Sequence, residues 1–292
     1  MSKPYISAFT IVRNAVKYDY PVVESINSIL PIVDEYVIAL GNSDDDTLGL
    51  IQSIGSPKIK IVHTIWDDSL REGGKVLADE TNKAFDAIGP HADWCFYLQG
   101  DEVVHEKYHQ SILGACATYK DKKEVEGLLF AYTHFYGSYD YVGDSRTWYK
   151  HEIRIVRNDK SIRSYKDAQG FRKNDEKLNV KRIDAQIYHY GWVRDPRAQQ
   201  AKQEGFRKLW HTDEFIQEHV ANANEFDYST IDSLTRFNGT HPKVMEQRLK
   251  RMNWDFKWDV SKKKFKPKDA ILYWFEKLTG KRLFEYKNYK LI

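Results

Sequence analysis

Polar side chains cluster just beyond three apolar runs of this chain. Thr10, Arg13 and Asn14 follow the first, Gly41, Asn42 and Asp45 the second, and Gln99, Asp101 and Glu102 the fourth. In an open α/β sheet, ligands bind outside the carboxyl ends of the strands, so these residues are the ones to read for chemistry. Asp101 suits a hard divalent cation, Mg²⁺ or Mn²⁺, which takes oxygen ligands and is held by one or two carboxylates together with substrate phosphates. Glu102 beside it could steady that cation or its water. Arg13, Arg71 and Lys75 are placed to share the charge of a phosphate group. Gly73 and Gly74, between the last two, permit a close backbone approach.

The elements that must carry these residues alternate at short spacing. Residues 5–12, 35–40, 58–63 and 94–98 read as strands, and residues 20–32, a short stretch from Thr47, and residues 76–88 read as helices. This is the pattern of βαβ units around a mostly parallel sheet. The run Trp94-Cys-Phe-Tyr-Leu98 is continuously apolar, as a strand buried on both faces must be. Past residue 110 the rhythm changes. Segments 127–133, 152–157 and 162–165 with a turn at Asn158-Asp-Lys160 predict hairpins. A helix is expected from Asp195-Pro196 to about residue 222, and another over 241–252. The expected class is therefore α/β: a domain over 1–195 with a mostly parallel central sheet and an antiparallel hairpin region, then a helical part over 196–292. No linker separates them.

The 292 residues, 41% hydrophobic and 30% charged, have the composition of a globular domain. No run is apolar for long enough to cross a bilayer as a helix. The start of the chain has no apolar core of a signal peptide, which predicts a cytoplasmic location. Cys95 and Cys116 lie in apolar runs without partners at metal spacing and are expected as buried thiols. A net charge of +3 argues against nucleic acid as partner. The charge is uneven: eleven Lys or Arg face four Asp or Glu over residues 257–292, a net +7, against −4 for the rest.

The three strand-end clusters, in this order and spacing, resemble the family 2 glycosyltransferases of GT-A fold, especially the lipopolysaccharide and cell-surface glycan branch. ISAFTIVRNAVKY stands at the first strand and nucleotide loop, VDEYVIALGNSDDDT at a strand and D-x-G-S-x-D-x-T type loop, and DWCFYLQGDEVV at an apolar strand and D-x-D-E. The resemblance covers residues 5–110. It implies a GT-A-like domain, a nucleotide-sugar donor, a glycan or lipid-linked acceptor, and metal-dependent transfer with inversion at the anomeric carbon. It also implies donor contacts from Thr10, Arg13, Asn14, Gly41, Asn42, Asp45, Arg71, Lys75 and Asp101. The expected metal set is Asp101, Glu102 and His189, a histidine downstream of the acidic motif. Asp167 is the expected base, with Asp144 and Glu152 as rivals. Two departures stand out: Gln99 replaces the first acid of D-x-D, and Leu40 and Gly41 replace acids that often contact the base.

Other readings of the same residues are a nucleotidyltransferase, which would carry a Gly-rich basic loop after the first strand, and a non-catalytic binding relative, for which Gln99 argues. A dinucleotide-binding enzyme lacks its G-x-G-x-x-G here. The basic run from Lys262 to Lys268, followed by Tyr273, Trp274 and Phe275, suggests peripheral contact with an anionic membrane at its inner face.

Overall fold

The computed structural model describes residues 3–67, 69–70, 72–209 and 223–292. Its centre is four parallel strands, β1 (Ile6–Val12), β2 (Glu35–Gly41), β3 (Ile59–Thr64) and β4 (Trp94–Tyr97), ordered β3-β2-β1-β4. Alternate residues of each strand go to opposite faces. Ile6, Ala8 and Val12 of β1, Tyr36, Ile38 and Leu40 of β2, and Trp94 and Phe96 of β4 meet Val22, Ile26 and Ile29 of helix α1 (Val22–Ile29) on one face. Phe9, Val37, Ala39, Cys95 and Tyr97 face the other way, against Ala84 and Phe85 of α3 (Lys75–Asp86). Burial on both faces explains why these segments read as apolar runs. The short α2 (Thr47–Gln52) is capped by Asp46, whose side chain accepts from Gly49 N. Both cysteines are buried and unpaired.

Beyond β4 the sheet turns antiparallel. Strand β5 (Glu102–Val104) leads to α4 (His109–Tyr119), then to β6 (Gly127–Tyr136), β7 (Ser138–Gly143) and β8 (His151–Arg157). β8 pairs antiparallel with both β4 and β6. A separate small sheet holds β9 (Ile162–Tyr165), β10 (Gly170–Lys173) and β11 (Glu176–Lys177). The long β12 (Asn179–Trp192) then returns between β5 and β6, antiparallel to the first and parallel to the second. The α/β class and the parallel-then-antiparallel order follow the sequence reading. The C-terminal part is less purely helical than expected. It has α5 (Pro196–Arg207), α6 (Glu246–Lys250) and α7 (Pro267–Thr279), but also β13 (Leu234–Arg236), which extends β7, and β14 (Lys290–Leu291), which joins β12. The helix expected to reach residue 222 is described to Arg207, and 210–222 lie outside the described residues.

Strand β8 buries three charged side chains, Glu152, Arg154 and Arg157. Arg154 is fully buried and forms a bidentate pair with Glu102, Nε to Oε2 at 2.8 Å and Nη2 to Oε1 at 2.7 Å. Glu152, two residues earlier, is also buried, and its Oε2 has no hydrogen-bond partner. Burial pushes its carboxyl up to about 7, against the pull of Arg154 and helped by Glu102. The native state therefore holds this proton between about pH 4.5 and 7, where the unfolded chain releases it, and stability must fall as pH rises through that window. The limiting size is about 3 kcal/mol, because each tenfold change in proton affinity is worth about 1.4 kcal/mol. Glu152→Gln should remove this slope: thermal melts at pH 5 and pH 8 should show the variant gaining on the wild type at pH 8 only.

Candidate functional site

The ends of β1 and β2 are laced together before any ligand arrives. Asn14, at φ 54°, turns the chain out of β1, a backbone region that Asn tolerates better than most residues. Its N–H donates to Ser43 Oγ at 3.0 Å, and its Oδ1 accepts from Asp44 N at 2.9 Å. Asp45 accepts from Lys17 N at 2.7 Å and from Thr47 N at 3.0 Å. Short Asx side chains bond nearby backbone in this way. Asn14 and Asp45 thus fasten one strand end to the next, and Thr10 stays buried within β1. Asn42 receives Arg13 Nε on its carbonyl at 3.1 Å and Trp66 N on its Oδ1 at 3.2 Å.

Arg13 lies 5.3 Å from the ring of Trp66, and Trp66 packs against Gly41. A Cβ at Gly41 would sit 2.2 Å from Trp66 Nε1, so only glycine admits the indole there. That Nε1 is buried without a partner. Arg13, Tyr20, Trp66, Asp101, His189 and Lys202 all face one cavity of about 500 Å³. Tyr149, Asp167 and Gln169 form a wall that it shares with a second cavity of about 1030 Å³. Asp167 sits on that wall in the turn between β9 and β10, flanked by two residues of positive φ, Lys166 at 54° and Ala168 at 60°. Glu152 and Lys75 line only the second cavity of the two. Asp144 lines neither, being held by Lys263, Lys277 and Tyr273. Arg71 lies outside the described residues.

β12 brings His189 opposite Glu102 in register, and Tyr190 N donates to Asp101 O at 2.8 Å. His189 Nε2 then stands 3.7 Å from Asp101 Oδ1. Gly191 makes this possible: a Cβ there would lie 2.6 Å from His189 Nε2 and 2.9 Å from Asp101 Oδ2. A hydrogen-bond chain assigns the tautomers. The Tyr149 carbonyl can only accept, so His134 Nε2 donates to it at 2.9 Å. Burial, first, and His189 hold His134 well below its usual pKa, so it is neutral and its Nδ1 is an acceptor. His189 Nδ1, 3.2 Å away, must be the donor. The Nε2 of His189, itself neutral because burial lowers its pKa, thus offers a lone pair toward a carboxylate oxygen. Two acceptors facing each other across 3.7 Å leave a place for a cation.

The other oxygen of Asp101 is taken. Lys202 Nζ of α5 donates to Oδ2 at 3.1 Å and to Gly191 O at 2.9 Å. Burial alone would raise the Asp101 carboxyl, but Lys202, with Arg194 behind it, holds it well below the usual range. Burial and Arg194 in turn pull Lys202 down to about 8, with Asp101 opposing. Glu102 is filled by Arg154 on both oxygens, by Tyr132 OH at 2.7 Å and by Gln99 N at 3.1 Å. Among the described residues no three His, Cys, Asp or Glu side chains gather as a metal cage. Asp101 and His189 are the two side chains here that could hold Mg²⁺ or Mn²⁺, the remaining positions being left to substrate oxygens and water. Sequence reasoning missed Trp66, which follows the end of β3 and so bore the same strand-end signal as the rest. It also missed His134 and Lys202, which bear none.

By sequence, no protein family and no curated protein matches the chain. In three dimensions it is similar to S. aureus TarS, at 14% identity over 69% of this chain and 39% of that one, with a TM-score of 0.41. It is also similar to 4-diphosphocytidyl-2C-methyl-D-erythritolsynthase from Anaerococcus prevotii, at 11% identity, 53% and 71% coverage and a TM-score of 0.33. A third likeness is to glucosyl-3-phosphoglycerate synthase from Mycobacterium tuberculosis in complex with Mn²⁺, UDP and phosphoglyceric acid, at 16% identity, 46% and 43% coverage and a TM-score of 0.30. The chain spans about two fifths of the TarS chain. Likenesses this distant carry no assignment of activity, which has to come from the side chains themselves.

Proposed function

We propose that this chain is a glycosyltransferase that takes a sugar from a nucleotide-sugar and passes it, with inversion, to a hydroxyl of a glycan or lipid-linked acceptor in surface glycan or lipopolysaccharide assembly. The observation that carries the reading is the cation-shaped gap between Asp101 Oδ1 and His189 Nε2, in a cavity walled by the ends of β1 and β4. Asp101 and His189 would hold Mg²⁺ or Mn²⁺. A divalent cation held by them would supply positive charge to the diphosphate leaving group.

The chain's own residues supply the rest. Trp66 would offer its ring to a nucleobase, with Arg13 beside it, while its N–H is turned against Gly41. Lys202 brings a second positive charge to the diphosphate, and its hold on Oδ2 keeps the Asp101 carboxylate oriented. Glu102 stands one step back, locking the Asp101 loop to Arg154. Asp167, on the wall between the two cavities, is the candidate base: it can take the acceptor proton as the hydroxyl attacks, provided that the acceptor fills the larger cavity. His134 holds no substrate and serves as a positioning residue, fixing the His189 tautomer.

Thermal melts with UDP-sugars and other nucleotide-sugars, with and without Mn²⁺, test the reading, since a ligand of the native state raises its apparent stability. No shift with any donor would sink it, and binding without turnover would favour a non-catalytic relative. Asp101→Asn should abolish Mn²⁺ binding measured by calorimetry while leaving the circular dichroism spectrum unchanged. His134→Ala should weaken Mn²⁺ by about 10- to 100-fold, the usual effect of losing a ligand's orienting partner; an unchanged affinity would refute the tautomer chain. Asp167→Asn should lower kcat by about 100-fold or more with little change in nucleotide affinity, because a base acts in the transition state. Unchanged turnover would move the role to Glu152.

A further inference from the structure

Helix α7 buries only Tyr273 fully. The helix is fastened along one polar edge: Tyr273 OH and Lys277 bind Asp144, and Arg146 and Lys150 bind Glu276. Its outward face carries Ile271, Trp274 and Leu278, at i, i+3 and i+7, which are 71%, 56% and 84% exposed. After the left-handed Gly280 cap, Phe284 adopts φ 57° and leaves its ring 87% exposed, with Tyr286 at 73%. A bulky residue in the left-handed region costs about 1–3 kcal/mol. Here that conformation holds an apolar ring in water, which folding of this chain alone does not reward. The lysines at 268, 281 and 287 around these rings are exposed, within the segment of net charge +7.

Two lysines of the basic run read from the sequence are engaged within the fold. Lys263 is turned inward to Asp144 and Ser233, and Lys264 binds Ser229 O and lies over Trp258. We propose that the α7 face and the Phe284–Tyr286 turn form a docking surface for an anionic membrane. Ile271, Trp274, Leu278 and Phe284 enter the boundary between headgroups and acyl chains, and Lys268, Lys281 and Lys287 meet the anionic headgroups. A helix of 13 residues with one apolar face and a basic surround lies in the interface plane. No helix among the described residues is long and apolar enough to cross a membrane. Charge complementarity is what selects this occupant over an uncharged apolar partner.

Phe284 and Tyr286 also line the larger cavity. Docking therefore sets the mouth of that cavity at headgroup level, where the headgroup of a membrane lipid could reach Asp167 without leaving the bilayer. This last step rests on the proposed transfer reaction, whereas the docking itself does not.

Co-sedimentation with vesicles of phosphatidylcholine alone, and of phosphatidylcholine with phosphatidylglycerol, tests the surface without any nucleotide. The wild type should pellet with the anionic vesicles only, less so as salt rises. Ile271→Ser with Leu278→Ser should lower the partition by about tenfold or more, given the apolar area lost. Lys268→Gln, Lys281→Gln and Lys287→Gln together should remove the preference for anionic lipid. The thermal shift with UDP, measured on each variant, reports the donor site separately and should not move. Recovery in the supernatant with both vesicle types, or undiminished pelleting of the Ile271/Leu278 double variant, overturns the proposal.

Discussion

The buried pair between Glu102 and Arg154 is the interaction on which the site depends. Asp101 has no strand of its own; it occupies the turn between β4 and β5, and its position is set by what its neighbour holds. Glu102 binds a guanidinium on β8, a phenol on β6 and the backbone of Gln99. Removing one member of such a pair leaves an uncompensated buried charge, at a cost of about 3–5 kcal/mol, whereas the intact pair contributes little net stability. Its role is therefore one of geometry. Arg154 also donates to the Gln169 carbonyl at 2.9 Å, so the same side chain reaches the turn that carries Asp167. One cation thus fixes both carboxylates assigned to the chemistry.

Charge in this site is arranged in layers. Asp101 faces His189 on one side and Lys202 on the other, while Arg194 lies behind, donating to Tyr18 O at 2.6 Å. A carboxylate with a lysine on one oxygen keeps its other oxygen available, and burial strengthens both interactions by excluding water. The aromatic rings of Tyr20, Trp66 and Trp192 complete the wall of the cavity and supply apolar area.

The parallel half of the fold was legible because β1, β2 and β4 are buried on both faces and so appear as largely apolar runs, and β3 at the edge keeps apolar residues between exposed Lys60 and His63. Asp101 was legible for the related reason that it follows such a run directly. The roles of Asn14 and Asp45 were not, since a polar residue at a strand end can bind a ligand or tie two loops, and only the backbone N–H groups nearby decide between them. His134 looks like any residue in the middle of a strand, and Lys202 like any lysine on a helix. Each acquires meaning from segments distant in the chain, 55 residues away in the first case and 101 in the second. The lysines at 263 and 264 read as part of a basic run facing a membrane, but Asp144, Ser233 and Ser229 bind them through contacts that no local pattern encodes.

The placement of β12 has a consequence for the order of assembly. The strand enters between β5 and β6 after roughly the first 178 residues, and both neighbours must already be apart by one strand's width to receive it. Pairings of such long sequence separation form slowly, because loop closure has to precede the contacts that reward it. The β1 to β3 part, whose pairings of Ser7 with Glu35 and Tyr36 with Ile59 join segments close in sequence, can condense first and present Arg13 and the Gly41 loop. His189 arrives with the last central strand, so its approach to Asp101 is a late product of folding, and a chain halted before that insertion would hold the joined ends of β1 and β2 without the carboxylate–imidazole pair.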